Sequence, residues 1–231
     1  MYNQLNFNLK TIRLIIFISK NHYFIMKRTI RDLTSNNEII GVGTGTTIEK
    51  FIKYFDKEKI YVPSSIQTKL ALHKYGMSIK DLDLVSNLDL YIDGTDYFDN
   101  LGNLIKGKGG ALTSEKLMCS ISDGIIILAQ DYKFQDNFKE CYVPIEIIPQ
   151  SLSYIKSIIE ESNLKYSLRT TQGKHGPLIT ENGNLILDVM YDKSFLMNIK
   201  SKSGVVEHGY FDSSDFNIIL KIFNKDSFFV N

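Results

Sequence analysis

Three short segments concentrate the residues that can do chemistry. Gly41-Val42-Gly43-Thr44-Gly45-Thr46-Thr47 joins glycines to three hydroxyls. Glycine lets the backbone approach a ligand closely, and a helix starting here would offer free N–H groups to an anion. Phosphate is the natural guest. A P-loop would need lysine after its last glycine, and a dinucleotide fingerprint would need a third glycine where Thr46 stands. Both nucleotide motifs are therefore excluded. A tight strand-to-helix turn with a threonine N-cap is the other explanation of this segment taken alone. Asp93-Gly94-Thr95-Asp96 follows an apolar run and carries two carboxylates three residues apart. Such a pair can bind sugar hydroxyls or move protons, or it can be an Asp-Gly turn with capping acids. Lys106-Gly107-Lys108-Gly109-Gly110-Ala111-Leu112-Thr113-Ser114-Glu115-Lys116 puts two lysines in a glycine-rich turn, with a carboxylate soon after. Lysine and backbone N–H groups stabilise an oxyanion. A carboxylate whose pKa burial lifts toward neutrality can serve as a base. Glu115 can also be read as an acid favoured by the positive end of a helix.

The surrounding pattern decides how these segments are held. Residues 38–43 read as a buried strand meeting a loop, and 47–55 as a helix with Ile48, Phe51, Ile52 and Phe55 on one face. Strand 60–62, helix 66–75, strand 88–92, helix 111–121 and strand 124–129 follow. Strands alternating with helices predict a mostly parallel, Rossmann-like α/β sheet flanked by helices. All three segments then lie at the carboxyl edge of one sheet, where open α/β sheets bind ligands. Beyond Pro144 the texture changes to strand 142–147, helix 151–162, strand 165–170, a hairpin of 178–179 with 185–189 around Asn182-Gly183, helix 194–200 and strand 204–209. This βαββαβ-like order predicts a smaller ferredoxin-like α+β domain over 141–205. Residues 26–140 plus 206–231 form the catalytic domain in this reading, with 216–223 returning as a strand to the first sheet. Residues 1–25 are expected to be an N-terminal extension or helix, with Met26 as an alternative start.

Bulk composition narrows the class. The chain has 231 residues, 43% apolar and 23% charged, with a formal net charge of +1. That is a globular protein without the basic excess of a nucleic-acid binder. Its two cysteines, Cys119 and Cys141, make no disulfide framework, which points to a reducing cytoplasm. The apolar run Leu14–Ile18 is too short for a secretory core, and no stretch approaches the roughly 20 apolar residues of a membrane span. His22, His73, His175 and His208 are scattered without ligand spacing, so no metal site is expected.

Order and spacing of the three segments resemble the type A ribose-5-phosphate isomerase family. Gly43-Thr44-Gly45-Thr46-Thr47 is similar to its Gly-Thr-Gly-Ser-Thr loop, Tyr91 to Asp96 to its strand with Asp-Gly-Ala-Asp, and Ile105 to Lys116 to its Lys-Gly-Gly-Gly…Glu-Lys stretch. Val143-Pro144-Ile145-Glu146, Thr180 to Asn184 with Leu187-Asp188, and Gly204 to Gly209 extend the resemblance from about residue 38 to the end. It implies a cofactor-free aldose–ketose isomerase acting on a sugar phosphate through an enediolate, without membrane or nucleic-acid partners, and a homodimer or homotetramer. It further implies Glu115 as the proton-transferring base, Asp93 as the acid of ring opening and Asp96 as a second substrate-binding acid. Lys106 matches the lysine that stabilises the enediolate, and Thr44, Gly45, Thr46 and Thr47 match the phosphate loop. Gly94, Thr95, Gly107, Lys108 and Gly109 complete the substrate-binding set, with Lys133 after the next strand; a solvated surface lysine is the other reading of Lys133. Three positions depart from the family pattern. Tyr97 replaces an acid, Lys108 replaces a glycine and is expected to point outward, and Ser64 to Thr68 lacks an aspartate. A sugar-phosphate sensor that binds without turnover, or another sugar-phosphate isomerase on a related fold, are the alternatives. The sensor would need neither Lys106 nor Glu115.

Overall fold

The structure is a computed structural model that describes residues 16–18, 30–173 and 175–223. Its strands and helices are numbered in chain order. The central sheet takes β1 (Ile16–Ile18), β2 (Ile39–Val42), β3 (Ile60–Pro63), β4 (Ser78–Ile79), β5 (Leu88–Gly94), β8 (Ser122–Gln130) and β14 (Ile218–Phe223). Their spatial order is β1-β14-β8-β5-β2-β3-β4, and every neighbouring pair is parallel. Parallel strands covered on both faces need near-continuous apolar runs. Ile125, Ile126, Ile127, Leu128 and Ala129 of β8 supply one, and all are buried. The crossovers are α1 (Thr46–Ile52), α2 (Ile66–Lys74) and α3 (Leu112–Ser120). Helix α1 buries Ile48, Phe51 and Ile52, the spacing of one helical face, against a core that includes Ile40, Val42 and Leu90. On the opposite side of the sheet, Leu88, Tyr91, Ile125 and Ile127 pack with Met118 and Cys119 of α3.

A second sheet comprises β9 (Tyr142–Ile147), β10 (Tyr166–Leu168), β11 (Leu185–Met190) and β12 (Val205–His208), in the order β10-β11-β9-β12 and antiparallel throughout. Helices α4 (Leu152–Glu161) and α5 (Lys193–Ile199) complete a βαββαβ unit with ferredoxin-like strand order. Between the two sheets lies a small one, β13-β7-β6, built from Tyr210–Phe211, Leu104–Ile105 and Tyr97–Phe98.

Four details differ from the sequence expectations. Strand β5 continues through Asp93 and Gly94 instead of stopping before them. Part of 1–25 is a strand, Ile16–Ile18, which adds to β14; the remainder of that segment lies outside the described residues. The two-residue strands of the small sheet carry no readable period. Finally, Leu178 and Ile179 do not pair with β11. Both edges of β11 are taken by β9 and β10, so the 178–184 segment turns outward over the crevice between the sheets. Among the described residues, no helix is long and apolar enough to cross a membrane.

Candidate active site

The central sheet reverses direction of growth at β2. Strands β3 and β4 lie on one side of it, β5 and β8 on the other. Loops leaving β2 and β5 therefore diverge, and a crevice opens between them at the strand ends. It holds a cavity of about 300 Å³ lined by Thr44 to Thr47, Gly94 to Asp96, Lys106 to Gly109, Glu115 and Lys133. Thirteen of the fourteen residues expected at the site are thus brought together. Gln67 and Ile48 also line the cavity and carried no sequence signal.

Asp93 is the residue that differs. It has no exposed surface and does not line the cavity. Its Oδ2 accepts from the Tyr91 hydroxyl at 2.5 Å and from Lys106 Nζ at 2.7 Å, and its Oδ1 from the Gly94 N–H at 2.6 Å. So occupied, Asp93 reaches the cavity only through Lys106, which it holds, whereas the sequence expectation set it among the residues that face the substrate and open its ring. Its place explains Gly43: a Cβ there would sit 1.8 Å from Asp93 Cγ. Tyr91 was missed as a partner because it read as one more apolar strand residue. The two-residue strand period, which sets Tyr91 and Asp93 on one face, was the available clue.

Lys106 donates also to the Gly94 carbonyl at 2.6 Å and lies 3.2 Å from Glu115 Oε2. Burial works against its charge, but Asp93 and Glu115 outweigh it and the pKa rises. Glu115 sits in the first turn of α3 and is 3% exposed. The Lys106 contact is close but off hydrogen-bond alignment, so Oε2 is buried without a hydrogen bond. Burial pushes the Glu115 carboxyl up to about 8, with Lys106 opposing the rise and Asp93 adding to it.

The remaining residues divide by what their polar groups do. Asp96 lines the cavity and accepts from the Lys108 N–H at 2.9 Å. Lys133 donates to the Thr95 carbonyl at 2.7 Å, and burial lowers its pKa. The Thr95 hydroxyl is committed to the carbonyls of Tyr97 and Ile105. That of Thr44 joins Ser64, Ser65 and Thr68, so Thr46 and Thr47 are the hydroxyls of that loop left to face a guest. Lys108 is exposed at the rim. His208 stands away from the cavity, buried against Lys116, and burial depresses its pKa to about 4. Among the described residues no group of three His, Cys, Asp or Glu is placed to hold a metal ion.

Known proteins share this fold. The family model described as ribose 5-phosphate isomerase A (phosphoriboisomerase A) matches residues 60–221. The chain belongs to the ribose 5-phosphate isomerase A family. A relative of that name from Pyrococcus horikoshii is 38% identical over 78% of this chain and 86% of its own. The solved ribose 5-phosphate isomerase A of Methanocaldococcus jannaschii superposes with a TM-score of 0.79 at 26% identity, covering 88% of this chain and 94% of that one. A D-ribose-5-phosphate isomerase solved in complex with phospho-erythronic acid gives a TM-score of 0.74 at 31% identity, over 86% of this chain and 95% of that one.

Proposed function

We propose that this chain interconverts D-ribose 5-phosphate and D-ribulose 5-phosphate by proton transfer through an enediolate. The observation that carries the reading is Glu115: a buried carboxylate at a cavity wall, with one oxygen outside any hydrogen bond and 3.2 Å from a lysine ammonium. Phospho-erythronic acid, bound by a relative, supports the substrate class. Its carboxylate has the planar, two-oxygen form of an enediolate end, and its phosphate marks the other.

In the open-chain aldose, ionised Glu115 removes the C2 proton. The C–H electron pair forms the C1–C2 double bond while the carbonyl pair moves to O1. Lys106 and the loop N–H groups stabilise that oxyanion. A proton passes from O2 to O1, and protonated Glu115 returns its proton to C1 as the C2 carbonyl forms. Asp96, the aspartate that faces the cavity, handles the ring oxygen and sugar hydroxyls. Asp93 fixes Lys106 from behind. Thr46, Thr47, Lys108 and Lys133 receive the phosphate end. Positioned proton transfer contributes about 10²–10⁴-fold to such a reaction.

An assay with ribose 5-phosphate and ribulose 5-phosphate, run without added metal, tests the reading. Turnover is expected for the wild type and a loss of at least a hundredfold for Glu115→Gln. Binding without turnover would favour a sugar-phosphate sensor. This reading includes a division into a catalytic unit, 26–140 with 206–231, and a smaller unit over 141–205. It also includes a cytoplasmic location, supported by the free thiols of Cys119 and Cys141. Assembly as a homodimer or homotetramer is checked by light scattering.

A further inference from the structure

One cation outside the cavity touches the loop that forms it. Arg169 follows β10 in the antiparallel sheet, and its side chain is 13% exposed. Its Nη1 donates to the carbonyl of Gly107 at 2.7 Å and to that of Lys108 at 3.1 Å. The rest of the fork is occupied by Asp188 of β11: Nε donates to Oδ2 at 2.8 Å, and Nη2 to Oδ1. A bidentate carboxylate partner fixes the plane of a guanidinium.

The consequence follows from peptide geometry. In a trans peptide the N–H points opposite to the carbonyl it shares a plane with. With the Gly107 carbonyl on Arg169, the Lys108 N–H faces the other way and meets Asp96 Oδ2 at 2.9 Å. With the Lys108 carbonyl on Arg169, the Gly109 N–H is turned to the cavity side, and among the described residues it has no acceptor. Gly107 at φ +99° and Gly110 at φ +86° let the chain turn here, the Gly110 N–H closes the turn on the Gly107 carbonyl at 3.0 Å, and Arg169 binds that same carbonyl from outside.

We propose that Arg169, oriented by Asp188, is a positioning residue that sets the Lys108 peptide N–H on Asp96 and aims the Gly109 peptide N–H at the reacting end of the substrate. The antiparallel sheet thereby sets the oxyanion site of the central one. This inference rests on the proposed isomerase reading.

Arg169→Lys and Arg169→Ala are compared with wild type in the isomerase assay, with thermal unfolding recorded for each. Lysine is a point cation and cannot span two carbonyls and a carboxylate. Losing one oxyanion donor costs about 10²–10³ in turnover, and loosening one costs less. The expected result for Arg169→Lys is therefore a drop of about 10-fold or more in kcat and kcat/KM together, with KM and unfolding temperature near wild type. Added guanidinium, at tens of millimolar, is expected to raise kcat of Arg169→Ala several-fold and to leave wild type and Glu115→Gln unchanged. Wild-type kcat in Arg169→Lys overturns the proposal, as does an Arg169→Ala loss that guanidinium does not relieve. A wild-type chain that fails to isomerise would sink the proposed function instead, so the two failures are distinct.

Discussion

Replacing Glu115 with glutamine should abolish turnover and stabilise the fold, and the second effect has a pH signature. Burial raises the Glu115 carboxyl from 4.5 to about 8 in the native state. Between those values the native protein holds a proton that the unfolded chain has released, so stability is full below about pH 4.5 and falls as pH rises toward 8. At 1.36 kcal/mol per pH unit, the wild type loses about 1 kcal/mol by pH 5 and about 3 kcal/mol by pH 7 through this one group. Glutamine does not titrate, so the loss is absent in the variant. Other groups titrate alike in both proteins and cancel in the comparison. The stability advantage of Glu115→Gln over wild type should therefore grow by about 2–3 kcal/mol between pH 5 and pH 7. For a chain of this size that is a divergence of roughly 5–10 °C in unfolding temperature. Thermal melts at half-unit pH steps measure it. Parallel curves for the two proteins would show that Glu115 is not held protonated by burial, and the account of the base would fail with it.

The same group sets the pH dependence of activity. Only the ionised carboxylate accepts a proton, so kcat/KM should rise with pH through an apparent pKa near 8 and stand about a hundredfold below its plateau at pH 6. A flat profile from pH 6 to 9 would contradict this. Gly43→Ala places a methyl 1.8 Å from Asp93 Cγ, and Asp93 is pinned by three donors. The expected cost is about 3 kcal/mol in urea titration, with activity lost as Lys106 is displaced. Glu146, fully buried, accepts from Thr113, Thr180 and Asn184. Glu146→Ala strands those donors and should cost about 2–4 kcal/mol, with Glu146→Gln costing less; unfolding temperatures within 2 °C of each other would refute the hub.

What was legible in the sequence was whatever is encoded locally. The α1 face of Ile48, Phe51 and Ile52 and the continuous apolar run of β8 carry their own period. The three loops stood out because glycine, acid and lysine are unusual at strand ends. What could not be read depends on distant partners. The Asn182-Gly183 turn does form, with the Gly183 N–H on the Thr180 carbonyl at 2.9 Å. Yet the predicted pairing of 178–179 with β11 fails, because two better strands occupy both of its edges. Arg169 meets a loop 62 residues earlier in the chain, and no neighbour of Arg169 in sequence signals that. Asp93 looked like a ligand group from its motif; only the burial of β5 reveals that its oxygens are already taken.

That burial also explains why Glu115, and not Asp93, is the proposed base. Two carboxylates and one ammonium occupy a nearly dry pocket, since Asp93, Lys106 and Glu115 are each at most 3% exposed. One cation cannot compensate both anions, and the uncompensated one moves toward its neutral form. Donors decide which. Asp93 draws the Tyr91 hydroxyl, the Gly94 N–H and the nearer approach of Lys106, at 2.7 Å against 3.2 Å for Glu115. Asp93 is therefore the carboxylate satisfied by donors, and the oxygen without a hydrogen bond falls to Glu115 at the cavity wall. An aspartate satisfied from within the fold and a glutamate left unsatisfied are two halves of one arrangement. Removing the Tyr91 donor should weaken the first half. Tyr91→Phe frees Asp93 Oδ2 to draw Lys106 closer, Glu115 loses part of its compensation, and the acid limb of kcat/KM should move to higher pH. An unmoved limb in that variant would mean that Tyr91 serves only packing.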